Sequence, residues 1–238
     1  MEPSPLAGTP RNRLLALLPA SSADALLPLL QPLDLPLKYR LYTPDTPIEA
    51  VYFPRAGVCS LLTVLADGTA VEVGTVGNEG FVGIPVVLGA TQTPGLAFCQ
   101  VPGAAWCIPV RAFRAVLAVD APLRNLLGRY TQALFVQIAQ STACNRAHAV
   151  EARAARWLLQ TADRVGAPTF ALTQQFLAQM LGVRRATVNA VEQRLAEAGL
   201  IRYSRGHVTL LDYAGLCALS CECYGIIKAE YDRLLGPA

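Results

Sequence analysis

"GVRRATVNAVEQRL", Gly182 to Leu195, reads as a helix with an unfavourable start. Arg184 and Arg185 fall in its first turn, where exposed backbone N–H groups already carry partial positive charge. Two cations there oppose the macrodipole at a cost of ~0.3–1 kcal/mol each. No Ser, Asp or Asn stands directly before the run to cap it. A phosphate arriving from outside would supply the missing anion. Val188, Val191 and Leu195 recur at i, i+3 and i+7 and face inward, which leaves Arg185, Ala186, Asn189, Ala190 and Gln193 together on the opposite face.

The residues on either side extend this reading. Upstream, "LTQQFLAQML" is a second helix, with Thr173 as N-cap and an apolar face of Phe176, Leu177 and Met180 or Leu181. Gly182 supplies the tight turn between the two helices and Val183 plugs their corner. Such a helix-turn-helix offers the outward N-terminal residues of its second helix to base edges in the major groove. Arginine can pair with guanine O6 and N7, and asparagine with adenine, so Arg185 and Asn189 are the expected base readers. Small Ala186 and Ala190 beside them let the helix sit deep, while Arg184 and Thr187 suit phosphates. Downstream, "GLIRYSRGHVTLLD" predicts a strand, a turn at residues 204–206 and a second strand. A two-stranded wing after the second helix places Arg205 at its tip, in reach of the sugar-phosphate backbone.

Bulk composition agrees. The 238 residues are 53% hydrophobic and 16% charged, enough to build one large domain or two ordinary ones. The net charge is only +3, but residues 184–207 hold five arginines against two glutamates, so the positive charge is concentrated. The opening "MEPSPLAGTP" has no basic segment feeding an apolar run, so no signal peptide is expected, and no apolar run reaches the ~18–20 residues of a membrane span. Seven scattered cysteines predict reduced thiols in a cytoplasm.

Residues 11–31 carry clustered leucines around "PASSAD", which predicts two short helices. Between about 35 and 110 come short alternating or β-branched runs, of which "SLLTVLADGTAVEVGTV" with Asp67-Gly68 is a clear hairpin. The spacing predicts an antiparallel sandwich or roll. Asp120 then caps a long helix, with Pro122 in its first turn. Leu123, Leu127, Tyr130, Leu134, Ile138 and Ser141 recur along it at helical spacing, a stripe that needs a partner in its own domain or in a second subunit. Another helix at roughly 148–165 ends at Gly166-Ala167-Pro168.

The "LGVRRATV" turn, the "LAEAGLI" helix exit and the "GHVTLLD" wing make Thr173 to Asp212 resemble the DNA-binding domain of the Crp/Fnr superfamily of bacterial transcription regulators. The stretch "LPLKYRLYTPDTPIEAVYFPRAGVCSLL", the Asp-Gly hairpin and "VGNEGFVG" resemble that family's cyclic-nucleotide-binding-type β-roll. The resemblance implies an α+β chain: a sensor roll over 1–120, a dimerisation helix over 121–146 and a winged helix-turn-helix over 147–238. It implies Arg184, Arg185, Thr187, Asn189 and Arg205 as DNA-binding residues, and Leu123, Leu127, Tyr130, Leu134 and Ile138 as the homodimer contact. A palindromic operator in double-stranded DNA and RNA polymerase follow as partners. Ala186 and Ala190 replace an acidic residue and a second arginine of the best-known member type, which leaves the preferred DNA word open.

A cyclic-nucleotide pocket in such a roll would show Gly-Glu and, about ten residues on, an arginine. Here Gly83 is followed by Ile84, Thr93-Pro94 stands where the arginine belongs, and residues 80–110 contain no cation. Burying a phosphate without a counter-charge is expensive, so the expected effector is not a cyclic nucleotide; an atypical pocket for one is an alternative. Cys217, Cys221 and Cys223 cluster in a C-terminal segment expected to be helical, where cysteine usually serves as a small hydrophobe. The expectation is therefore no metal and no cofactor. Metal or redox sensing through these three, with His207 as the nearest further ligand, is the other alternative. No P-loop, dinucleotide fingerprint or nucleophile elbow is present, and two histidines leave little for general-base chemistry, so no enzyme is expected.

Overall fold

A computed structural model describes residues 12–236; the stretch 1–10, read above as no signal peptide, lies outside the described residues. The leucine-rich pair forms α1 (Arg13–Ala16) and α2 (Ala20–Leu26), followed by a single 3-10 turn at Leu27–Leu29. Asn12 caps α1, its side chain accepting from the Leu15 N–H at 3.1 Å. Then come β1 (Gln31–Leu35), β2 (Arg40–Tyr42), β3 (Ala50–Val64), β4 (Ala70–Val76), the short α3 (Ile84–Val87) and β5 (Gly95–Pro109). They make one antiparallel sheet in the order β1-β5-β3-β4, with β2 also on β5. At the β3–β4 turn the Gly68 N–H bonds the Leu65 carbonyl at 2.9 Å and Gly68 takes φ 83°, which completes the hairpin expected from Asp67-Gly68.

The β3–β5 pair carries the architecture. Its register breaks between Pro54 and Cys59, and there Gly57 (φ 80°) lies so close to β5 that an added Cβ would collide with the Val101 carbonyl oxygen. Only glycine allows that approach. The bend gives the two strands work on both sides. Val51, Phe53 and Ile108 belong to one hydrophobic core, and Val58, Leu62 and Val101 to another.

The first core is the roll's own. After α4 (Val110–Val119), Asp120 caps α5 (Ala121–Ala147) by accepting from the Leu123 N–H at 2.8 Å. The apolar stripe of α5 turns into the roll, and here the structure corrects an expectation. Leu123, Leu127, Tyr130 and Leu134 are fully buried within the chain, so these four are not free to meet a second subunit, while Ile138 is half-buried against the same core. Tyr130 packs on Phe81 with ring centroids 5.1 Å apart, and Gly80 leaves the space for its ring. A terminal helix, α10 (Cys223–Leu235), lies along α5 and adds Ile227, Tyr231 and Leu235 to this core. The stripe found its partner inside the chain because periodicity reports that a face is apolar and not what covers it.

The second core holds α6 (Val150–Val165), β6 (Thr169–Ala171), α7 (Gln174–Leu181), α8 (Arg185–Glu197), β7 (Ile201–Ser204), β8 (His207–Leu210) and α9 (Tyr213–Leu219). This half packs against the bent strands, with Phe176 of α7 edge-on to Phe98 of β5 at 6.1 Å. Buried Arg164 of α6 reaches across, its Nε donating to Glu79 at 2.8 Å, Nη1 to Thr75 at 2.8 Å and Nη2 to Gln137 of α5 at 2.8 Å. Among the described residues no helix is long and apolar enough to cross a membrane.

Candidate nucleic-acid interface

The two helices of the central motif start and stop for local reasons. Thr173 caps α7 by accepting from the Phe176 N–H at 3.2 Å, and left-handed Gly182 (φ 63°) ends it. One residue of extended backbone at Arg184 then begins α8. Val188, Val191 and Leu195 are buried, and half-buried Val183 packs against the same core. Arg184 is the N-cap residue and makes no capping bond, so the first N–H groups of α8 have no side-chain partner.

Arg184, Arg185, Ala186, Asn189, Ala190 and Gln193 are all exposed, and Thr187 is half-buried. Gln174 of α7, which sequence reasoning missed, organises this face. Its Nε2 donates to Asn189 Oδ1 at 3.0 Å and to Glu192 Oε2 at 2.8 Å, and its Oε1 accepts from Arg185 Nε at 3.4 Å. Arg185 and Asn189 are therefore brought together before any ligand arrives. Glu192 lies beneath them, and burial raises its carboxyl above the usual range while the Gln174 bond opposes that shift. The only sequence signal for Gln174 was its place in the first turn of the preceding helix.

The wing forms as expected, with Ser204 opposite His207 and the turn between them at Arg205 (φ 48°) and Gly206 (φ 78°). Positive φ at both central residues is the primed hairpin geometry, which matches strand twist. It holds Arg205 exposed at the tip, with no hydrogen bond or ion pair to the α8 residues. The wing sheet has a third strand: β6 pairs with β8 from Thr169↔Thr209 to Ala171↔His207, in the order β6-β8-β7. Three residues were too few to show alternation in the sequence.

The candidate cysteines separate. Cys217 stands apart, and His207 lies on the wing. Cys221 and Cys223 instead meet Cys144, near the end of α5, and His148, its C-cap residue. In the roll, Ile84 packs at the edge of the first core, and Thr93 is occupied locally, its carbonyl accepting from Asp45 N–H at 2.9 Å. Arg114 of α4 donates to the Ala90 carbonyl of the same loop at 2.8 Å. A cleft of about 500 Å³ opens between the 78–79 loop, α6 and α10, lined by Arg13, Arg164 and Lys228 but also by Glu79, Asp163 and Asp232.

Residues 152–219 match the family model of the Crp-like helix-turn-helix domain. Similar folds include a putative transcriptional regulator of the Crp/Fnr family from Eubacterium rectale (16% identity, 85% of this chain and 94% of that chain, TM-score 0.65). FixK2 from Bradyrhizobium japonicum is 17% identical, with 81% and 98% of the two chains covered and a TM-score of 0.67. The c-di-GMP responsive global regulator CLP of Xanthomonas campestris is 17% identical, with 82% and 100% covered and a TM-score of 0.65. No curated protein matches the chain in sequence. Residues 152–219 are thus a Crp-like helix-turn-helix domain, carried on a chain with the overall fold of the Crp/Fnr regulators.

Proposed function

We propose that the chain is a cytoplasmic transcription regulator that reads a palindromic operator in double-stranded DNA as a homodimer, with RNA polymerase as the partner met at a promoter. The observation that carries this is the start of α8: an uncapped, exposed helix N-terminus with Arg184, Arg185 and Asn189 outward and Gln174 bridging the last two. A phosphate against those N–H groups and Arg184 removes the unfavourable charge of the free helix start. Arg185 and Asn189 then face base edges. Arg205, exposed on the positive-φ turn of the wing, suits the backbone beside them.

The dimer contact is assigned to the outward face of α5, the inward one being spent. Asn125, Gly128, Gln132, Phe135, Ala139 and Thr142 are all exposed and alternate by three and four along the helix, the spacing of a two-helix seam. Phe135 is 65% exposed. Gly128, mid-helix, has nothing of its own chain within 4 Å of an added Cβ. Glycine there costs about 0.5–1 kcal/mol against alanine, a cost that a closely approaching second helix explains.

The test is selection of bound genomic fragments followed by titration of variants on the selected site and on random DNA. Arg185→Ala should lose ~1–3 kcal/mol on the selected site and relax preference at one position per half-site. Arg184→Ala and Arg205→Ala should weaken binding to all sequences alike and lower the slope of log affinity against log salt by about one per lost contact in each half-site. Half-site centres should lie ~10–11 base pairs apart. Equal losses for Arg184→Ala and Arg185→Ala on both DNAs would overturn the base-reading assignment, and salt-independent or absent binding would overturn the function.

A further inference from the structure

We propose that Cys144, His148, Cys221 and Cys223 form a four-coordinate zinc site at the junction of α5 and α6. The four donors come from two distant parts of the chain: the last turn and C-cap of α5, and the link from α9 into α10. Their ligand atoms all lie within 4.8 Å of one another. Cys144 Sγ is 3.4 Å from Cys221 Sγ, and Cys223 Sγ is 3.5 Å from His148 Nδ1. Zinc bonded to sulfur at ≈ 2.3 Å and to nitrogen at ≈ 2.0–2.1 Å in a tetrahedron separates its ligands by about 3.5–3.8 Å. The Cys144–Cys221 and Cys223–His148 pairs already stand at about that separation, and no pair of the four donors is more than 4.8 Å apart.

The surroundings match a metal site in two further ways. His148 presents Nδ1 to the sulfurs while Nε2 faces Glu222 Oε1 at 3.3 Å, the carboxylate–imidazole arrangement that fixes tautomer and ring orientation of a metal-bound histidine. Gln140 Nε2 donates to Cys223 Sγ at 3.2 Å, a contact suited to a thiolate. Beside the cluster, α6 buries Arg153 and Arg156; neither makes an ion pair among the described residues, and the Nε of each has no hydrogen-bond partner. Two buried guanidiniums with no carboxylate in ion-pair contact are costly. Three thiolates on one divalent ion leave a net negative charge, which offsets them.

The three thiols and one imidazole select zinc over the harder cations that oxygen ligands bind. With no open coordination position, the ion would act as a clamp. It would tie the end of α5 to the start of α10, across the point where α6 leaves toward the helix-turn-helix half, and so hold the angle between them.

Full-length protein purified under reducing conditions should carry one zinc per chain by elemental analysis. Stripped with a chelator and titrated with cobalt(II), it should develop the ligand-field and thiolate charge-transfer bands of tetrahedral cobalt, which zinc then abolishes. Cys223→Ser should lose those bands, Glu222→Gln should weaken zinc binding by roughly 10–100-fold while keeping them, and Cys217→Ser, outside the cluster, should behave as wild type. Chelation should lower the melting temperature of wild type and leave that of Cys223→Ser unchanged. These readouts need no DNA, so they stand or fall apart from the operator reading. The proposal is overturned if reduced protein binds neither ion at micromolar concentration, if bands persist in Cys223→Ser, if iron with labile sulfide is found in place of zinc, or if the native state carries a Cys144–Cys221 disulfide.

Discussion

Glu72 sits where β4 meets the helix-turn-helix half, its carboxylate accepting from Ser60 Oγ at 2.8 Å and from Trp157 Nε1 of α6 at 3.2 Å. Burial pushes its carboxyl up to about 7, against those two hydrogen bonds and the nearby charges of Arg156 and Arg164, which pull it down. Between its ordinary value of 4.5 and about 7 the group is protonated in the folded chain and ionised in the unfolded one. A raised carboxyl therefore costs stability as pH rises through that window, and the loss levels off above it. Melting curves should show wild type falling relative to Glu72→Gln over this range, the glutamine keeping an oxygen to accept from Trp157 Nε1 without the charge. A difference that does not change with pH would remove Glu72 as the cause. Nothing in "TAVEVGTV" announced this, because alternation along β4 says which face a residue takes and not that another helix will cover its polar end.

At the scale of the element, α5 buries one face in the roll and leaves the other exposed, the face proposed above as the dimer contact. Leu127 is fully buried against the roll, so Leu127→Glu places a charge in a closed core and should cost about 3–5 kcal/mol or more. The fold should fail together with any assembly. Phe135→Glu lies on the outward face and should leave the circular dichroism and melting of the monomer near wild type while halving the mass seen by light scattering. Gly128→Ala should raise monomer helix stability and weaken self-association. A wild-type chain that is monomeric at micromolar concentration, or a dimer that Phe135→Glu leaves intact, would refute the assignment. The helix itself was legible from Asp120, Pro122 and the apolar repeat, as was the pairing of α7 with α8 from Thr173, Gly182 and the Val188, Val191, Leu195 spacing. What covers the inward face of α5 was not.

Across the whole molecule, the roll's interior is filled by Phe53, Phe81, Phe113 and Tyr130, the first two stacked at 5.8 Å and the last two buried completely. Ile84 and Thr93-Pro94 supply no charge for a phosphate, and Arg114 is bonded to the loop backbone. Calorimetric titration with cyclic AMP and cyclic GMP should accordingly show no micromolar binding; either one binding in that range would contradict this reading. The charged cleft beside α10 is a separate place, where Arg13 pairs with Asp232 at 3.0 Å and Arg164 with Glu79 at 2.8 Å.

By itself the sequence determined the local features: caps, hairpin and wing turns, the buried and exposed faces of α8, and the concentration of arginine around it. Each depends on residues within a few positions of one another, which is the range over which capping, turn geometry and helical periodicity act. The tertiary structure decided everything that depends on distant partners. It brought α10 back onto α5, so that a stripe read as a dimer contact became core. It set Gln174 between Arg185 and Asn189, and it carried Cys221 and Cys223 to Cys144 and His148 while leaving Cys217 and His207 aside. Long-range contacts close loops of tens of residues, and no spacing in the sequence records which loops close.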